Sequence, residues 1–249
     1  MSQFKLLLIA TQFLTRLPMP RDLATSEAEL GKATRFFPLV GIIVGGLSAL
    51  VLIGAQRFFP LTVSVWLALA AGAWLTNGFH EDGWADAFDG FGGGWTRERI
   101  LEIMHDSRLG TYGVLSVIFL LALKAACLTD LSTAQSWRWL LIAHVAGRWT
   151  VLPLSAWLTH ARADGLSRLV AQQIGRVELL IGTLTLCAVL FALQTPRAAV
   201  LVLVVSGVMT WLAGRYFRAR LGGITGDCLG AANQLIELTV YLVAAALAH

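Results

Sequence analysis

The chain has 249 residues, of which 57% are hydrophobic and only 14% charged, with a mean hydropathy of +0.70. That balance argues against a soluble core, and apolar runs near the length needed to cross a hydrocarbon layer about 30 Å thick recur along it, as in a polytopic helical membrane protein. The net charge of +4 carries no nucleic-acid signal, because no basic stripe is interleaved with exposed aromatics.

The first apolar run, Phe4 to Leu17, lies between Lys5 and Arg16 and is shorter than the roughly 20 residues of a full span. It reads as a short tilted span or as a helix lying in the interface. A small-residue cleavage pattern is missing after it, and Arg16-Leu17-Pro18-Met19-Pro20 continues directly into polar sequence, so the segment is expected to be retained rather than removed as a signal peptide.

The following runs cover residues 36 to 55, 61 to 79, 110 to 128, 137 to 158, 178 to 194, 198 to 217 and 235 to 248. They lack the alternating polarity of a closed barrel. The expected fold is therefore all-α, with about seven transmembrane helices, or six to eight depending on the first segment. Neither an internal repeat nor a Pro- or Ser-rich linker divides the chain, so residues 1 to 249 read as one membrane domain.

Lys and Arg counted loop by loop set the orientation. The segments around 16 to 35, 80 to 109, 159 to 177 and 214 to 234 carry Arg16, Arg21, Lys32, Arg35, Arg97, Arg99, Arg108, Arg162, Arg168, Arg176, Arg215, Arg218 and Arg220. The turns between them carry only Arg57 and Arg197, with Arg138 at a helix edge. By the positive-inside rule the four basic segments face the cytoplasm. No individual role is assigned to Arg162, Arg168 or Arg176. Most of the nine Trp fall near predicted span ends, as in an interfacial belt. Cys127, Cys187 and Cys228 show no Cys-x-x-Cys spacing, which points to packing rather than to zinc or disulfides.

The second and third spans are separated by a dense acidic stretch, His80-Glu81-Asp82-Gly83-Trp84-Ala85-Asp86-Ala87-Phe88-Asp89-Gly90, and seven of the fifteen acidic residues fall between Glu81 and Asp106. Carboxylates at a membrane edge are costly and default to a functional reading. On a helix, Asp82, Asp86 and Asp89 are spaced i, i+4, i+7 and fall within a sector of roughly 60°. Three like charges on one face call for a divalent cation, and an all-oxygen donor set selects Mg²⁺ or Mn²⁺. A merely solvated helix end is the alternative. His80 is either a metal ligand or an orienting hydrogen-bond partner.

Gly83 and Gly90 would let a ligand or another backbone approach, and Gly92-Gly93-Gly94 reads as too flexible to be structured alone. Thr96 is a candidate N-cap for a helix to about Met104, lying along the membrane surface as lid or floor. It leads to His105-Asp106-Ser107-Arg108-Leu109-Gly110, which adds a fourth carboxylate and a guanidinium suited to phosphate.

Two further polar groups lie downstream. His144 and Arg148, i and i+4 inside a predicted span, need a partner and either face a cavity or form a structural ion-pair site. Gly222-Gly223-Ile224-Thr225-Gly226-Asp227-Cys228-Leu229-Gly230 suits backbone amides cradling an anion or a sugar phosphate, or else is a tight turn with an N-cap. Asn233, Gln234 and Glu237 follow it.

Three of these stretches, residues 78 to 90, 102 to 110 and 223 to 231, resemble the signatures of the cobalamin synthase family, also called adenosylcobinamide-GDP ribazoletransferase. The resemblance extends to Phe13-Leu14-Thr15-Arg16-Leu17-Pro18-Met19-Pro20 and Phe37-Pro38-Leu39-Val40-Gly41, so it spans most of the chain in order. His105 stands where the family carries Lys or Arg, and Glu81 occupies a position that varies.

The resemblance implies a Mg²⁺-dependent transfer in the last steps of cobalamin biosynthesis, on the bacterial cytoplasmic (inner) membrane with the site facing the cytoplasm. Adenosylcobinamide-GDP and α-ribazole, or its 5′-phosphate, would be the substrates, with the lipid bilayer as surroundings and no nucleic acid; the oligomeric state stays open. Asp82, Asp86 and Asp89 would hold the metal on the diphosphate, with Asp106 or Asp227 completing the shell. Asp89 or His80 would accept the nucleophile's proton. Arg108 with Ser107, and Arg148, would hold the departing GMP phosphate, and Thr225 and Gly226 would approach sugar or phosphate.

Other chemistries make different demands. An aspartate-rich prenyltransferase predicts a second multi-Asp motif, and the C-terminal region offers only Asp227. A cation-coupled transporter predicts mid-membrane carboxylates and paired broken helices, neither visible in the sequence. The arginine and longer spacing of the CDP-alcohol phosphotransferase motif are missing, and His80-Glu81 lacks the second His of a zinc protease.

Overall fold

Apolar runs leave the backbone no partner but itself in hydrocarbon, so helices are the expected outcome. The computed structural model describes residues 2 to 20, 23, 26 to 161 and 174 to 249; Arg21, Arg162 and Arg168 lie outside them. In chain order come α1 (Gln3–Leu14), α2 (Glu27–Ala33), a 3₁₀ turn (Thr34–Phe36), α3 (Phe37–Ala55), α4 (Leu61–Leu75), α5 (Phe79–Gly93) and α6 (Arg97–His105). The long helices α7 (Thr111–Asp130), α8 (Thr133–Trp157), α9 (Arg176–Leu193), α10 (Pro196–Leu221) and α11 (Gly226–Ala248) complete the bundle. Extended pairing among the described residues is limited to one parallel bridge, His160 with Ile224.

Five segments are long and apolar enough to cross a membrane: Glu27–Ala55, which joins α2 to α3, and α7, α9, α10 and α11. A sixth qualifies only as the pair α4 and α5, bent by 89°. Helix α8 is long enough at 25 residues but more polar. Its Ser136, His144, Arg148, Thr150 and Ser155 are all buried, so they face protein rather than lipid.

Two expectations are corrected. The run from 61 to 79 is not one straight span, because its helix ends at Leu75 and the chain turns before α5. The glycines at 92 and 93 are helical, forming the last turn of α5. The first segment resolves into α1, whose 12 residues reach only about 18 Å.

Helix α8 sits centrally, packed against α3 on one side and α11 on the other. The α3 contact is built on Gly41 and Gly45, four residues apart. A Cβ at Gly41 would lie 2.6 Å from the His144 carbonyl oxygen, and one at Gly45 2.8 Å from the Leu141 Cα. Two small residues at this spacing let backbones meet where lipid supplies no hydrophobic drive. Buried apolar side chains such as Phe37, Val151, Leu154, Phe217 and Leu229 fill one end of the bundle. Leu52, Val65, Leu128, Leu140, Leu186 and Val240 belong to a second buried cluster. Leu115, Phe119, Leu180, Leu184, Val204 and Val208 remain exposed on outward faces, as lipid-facing helices require. Among the described residues Cys127, Cys187 and Cys228 form no disulfide.

Several of the basic segments are tied together at one end of the bundle. Arg97 donates to the carbonyls of Leu221 (2.9 Å) and Ala161 (2.7 Å), Arg220 to that of Gly94 (2.8 Å), and Arg35 pairs with Glu178. The C-terminal His249 meets Asp130 (2.8 Å) at the end of α7, beside the short turn into α8.

Candidate active site

The acidic stretch is shaped by the helix break that precedes it. Helix α4 closes with the Gly78 N–H donating to the Ala73 carbonyl (2.8 Å) and Asn77 to Trp74 (3.1 Å), a Schellman-type end. Asn77 and Gly78 adopt left-handed conformations, φ 56° and 67°, which Asn and Gly reach at least cost. The reversal lets α5 start at Phe79 and lie across the bundle end. Its Gly83 packs on α11, where an added Cβ would meet the Asp227 backbone and the Gly230 Cα at 3.2 Å. The backbone approach expected at Gly83 is thus made by α11.

The expected convergence of Asp82, Asp86 and Asp89 on one face of a helix is present, since all three lie within α5. Their surroundings differ. Asp82 is exposed and Asp86 half-buried. Asp89 is buried and caps α7, accepting the Gly110 N–H (2.7 Å) and the Gly113 N–H (2.8 Å) on its two oxygens. Among the described residues, no three His, Cys, Asp or Glu side chains are gathered to hold a metal. The fit to Mg²⁺ rests on chemistry instead: an ion that keeps waters and binds substrate phosphate needs only one or two protein carboxylates, and Asp82 and Asp86, one turn apart on α5, are the residues that would supply them.

A groove of about 900 Å³ opens beside this face. It is lined by Phe13 of α1, by Thr15 and Arg16 just after it, by Thr76, Asn77 and Gly78 of the break, by Glu81, Asp82 and Ala85 of α5, by Leu109 ahead of α7, and by Val114, Val117 and Ile118 of α7. It is thus polar along α5 and the break, and apolar along α7. His80 points elsewhere. It is 2% exposed, lines a small void with Gly226 and Gly230, and its Nδ1 has no hydrogen-bond partner.

Helix α6 begins where expected, with Thr96 accepting the Arg99 N–H (3.3 Å). Its buried Ile100 and Met104 pack under Gly90 and Gly94 of α5 and its end. Beyond it Asp106 is bound by Arg108, Nη2 to Oδ2 at 2.6 Å. The Arg108 hydrogen bonds lower the Asp106 pKa to about 2. Ser107 and Arg108 are exposed and available to a phosphate.

The C-terminal motif is a helix start. Thr225, fully buried, is the N-cap of α11 and accepts the Cys228 N–H (3.2 Å) while donating to Asp227 Oδ2 (3.3 Å). Gly226 and Asp227 form the first turn, against α5.

The second ionisable cluster is sealed inside the bundle. Glu237 of α11 accepts from Lys124 of α7 (2.8 Å), and from Arg148 (2.8 Å) and His144 (3.0 Å) of α8. Lys124 also donates to Gln234, and Gln234 in turn donates to Glu81 Oε1 (3.2 Å). Glu237 and Lys124 are each 2% exposed and Arg148 1%. Arg148, expected to hold a leaving phosphate, is therefore committed to Glu237 and does not reach the groove. The sequence hinted at this cluster through Lys124 inside a span and through Gln234 and Glu237 one turn apart, but not that they meet.

The same observations answer the transporter reading. A mid-bundle carboxylate and a broken helix are present, yet the carboxylate is matched by two cations, and the break has no second copy among the described residues.

The cobalamin-5-phosphate synthase family matches residues 6 to 245. An adenosylcobinamide-GDP ribazoletransferase of Shewanella sp. (strain W3-18-1) is 41% identical over 246 residues, 97% of this chain and 94% of that protein. One from Leptothrix cholodnii is 42% identical over 249 residues, 96% of this chain and 94% of its own length. No solved structure matches. This chain belongs to the cobalamin-5-phosphate synthase family.

Proposed function

We propose that the chain is an adenosylcobinamide-GDP ribazoletransferase, joining adenosylcobinamide-GDP to α-ribazole or its 5′-phosphate to give adenosylcobalamin or its 5′-phosphate and GMP, in a Mg²⁺-dependent reaction. The observation that carries it is the family match along nearly the whole chain, supported by an α5 carboxylate face beside a groove with one polar and one apolar wall.

In this reaction a ribose hydroxyl oxygen of the ribazole forms a bond to the corrinoid-linked phosphorus. The bond from that phosphorus to the bridging oxygen breaks, and GMP leaves with the oxygen and the electron pair. Asp82 and Asp86 would hold Mg²⁺, which supplies charge neutralisation on the diphosphate. The two side chains expected to accept the hydroxyl proton are otherwise placed, Asp89 on α7 and His80 buried. We assign that proton to Glu81, the carboxylate on the groove that is not used to hold the metal. Arg108, free to turn from Asp106, would meet the departing phosphate. The apolar wall of α7 would take the bulk of the corrinoid.

The positive-inside rule applied to the basic segments supports a site on the cytoplasmic side of the bacterial inner membrane. The test is turnover by the full chain in liposomes, with and without Mg²⁺, following GMP and corrinoid product together. Metal-dependent formation of both in equal amounts is expected; lipid-supplied, folded protein that makes neither overturns the reading.

A further inference from the structure

We infer that Arg16 is a substrate-binding residue of the same groove, one that grips the diphosphate oxygens opposite the α5 carboxylates; this rests on the reading of the groove given above. The groove presents two carboxylates, Glu81 and Asp82, and Arg16 is the one cationic side chain among the described residues lining it. An anionic ligand entering such a site needs positive charge on both sides, and a metal on the carboxylates supplies only one of them.

The backbone around Arg16 is held in place before any ligand arrives. The Thr15 hydroxyl donates to the Thr11 carbonyl (2.7 Å) at the end of α1, and the Leu17 N–H donates back to the Thr15 hydroxyl (3.3 Å). The Arg16 N–H donates to the Leu75 carbonyl (2.9 Å), one of the last carbonyls of α4 and so without a partner inside its own helix. Phe13 meets Phe79 edge to face at 6.1 Å. The chain leaving α1 is therefore pinned to both sides of the α4–α5 break.

The side chain is held by its face and not by its edge. Its guanidinium lies over the Trp74 ring, 4.5 Å from the centroid, and the described residues give it no salt bridge. Stacking fixes the plane of the fork while leaving its N–H donors to point outward, the arrangement that suits bidentate binding of phosphate oxygens. Arg35, Arg108 and Arg148 contrast with it, each being paired with a carboxylate.

The competing role is an interfacial anchor, in which Arg16 only marks the cytoplasmic end of a helix. Steady-state kinetics in liposomes separate the two. Arg16→Gln raises KM for adenosylcobinamide-GDP by about 10- to 100-fold and leaves KM for α-ribazole within about twofold, with a melting temperature like that of the parent chain. Arg16→Lys, which keeps the charge but loses the planar fork, falls between them. Unchanged KM for adenosylcobinamide-GDP in Arg16→Gln, or an equal rise for both substrates with a lowered melting temperature, overturns the assignment.

A second readout does not depend on turnover. Inorganic diphosphate with Mg²⁺ changes the tryptophan fluorescence of the parent chain and not that of Arg16→Gln. If the parent chain binds diphosphate in this way but makes no corrinoid product, the proposed reaction falls and the anion site stands. If both chains bind it equally, the Arg16 site falls whatever the reaction.

Discussion

The α5 carboxylates and the Lys124–Glu237 cluster are built from similar groups but differ in what the protein leaves exposed. Around Glu237 two cations and a histidine converge within hydrogen-bond distance, and no face is open to solvent. Along α5, Asp82 is exposed, Asp86 is half-buried and the adjoining groove offers space. A sealed ionic cluster deep in a bundle holds helices in register; carboxylates exposed at a helix break are open to a ligand. Asp89 shows that the boundary runs within a single helix, since it shares the face of Asp82 and Asp86 yet is consumed as the cap of α7.

The sharpest way to break this contrast is at Glu237. Replacing it by Leu leaves Lys124 and Arg148 buried without a counter-charge, which is expected to cost about 3–5 kcal/mol. Thermal unfolding in detergent should show a large drop in the midpoint, and pairing Glu237→Leu with Lys124→Met should recover part of it. A chain that tolerates Glu237→Leu unchanged would show that the cluster does not brace the bundle.

Asp86→Asn should do the reverse, lowering turnover by about 10²- to 10³-fold with little change in the unfolding midpoint. Activity per folded molecule, measured across a Mg²⁺ titration, checks it, and retention of full metal-dependent turnover would remove Asp86 from the site.

Asp89→Asn sharpens the division within α5. One oxygen acceptor and the charge on the α7 N-terminus are lost, an effect of about 0.5–2 kcal/mol on stability. Turnover should fall only as far as the folded fraction falls; a loss as deep as that of Asp86→Asn would place Asp89 with the metal-binding pair.

The smallest effect is expected at Asp106. Its folded pKa is depressed to about 2 by Arg108, so whatever the pair contributes is present above the unfolded carboxylate range and is lost only as pH falls through about 2. Between pH 7 and pH 4 the pair stays ionised, and because it is exposed, Asp106→Asn should leave the unfolding midpoint unmoved across that window. A parent chain that loses stability there while Asp106→Asn does not would contradict the pair's placement.

Much of this could be read before the structure was known, because it depends on neighbours in sequence. Apolar runs mark helices, i, i+4, i+7 spacing places three aspartates on one face, and Thr96 before Arg97–His105 marks a helix start. What could not be read depends on partners far along the chain. Asp89 caps Gly110 and Gly113, 21 and 24 residues on. Lys124 finds Glu237 at a separation of 113. The 89° bend between α4 and α5 follows from a two-residue left-handed turn that an apolar run to residue 79 conceals. Arg16 reads as a topology signal until the break brings it to the groove.

The most direct test of the contrast is a side-by-side measurement of Mg²⁺-dependent GMP release and thermal unfolding for Asp82→Asn and Glu237→Gln in the same liposomes. The account predicts that Asp82→Asn unfolds like the parent chain but loses turnover, whereas Glu237→Gln unfolds early and keeps turnover per folded molecule. If Asp82→Asn turns over normally, or if folded Glu237→Gln is dead while melting like the parent, the roles assigned to the two clusters are reversed.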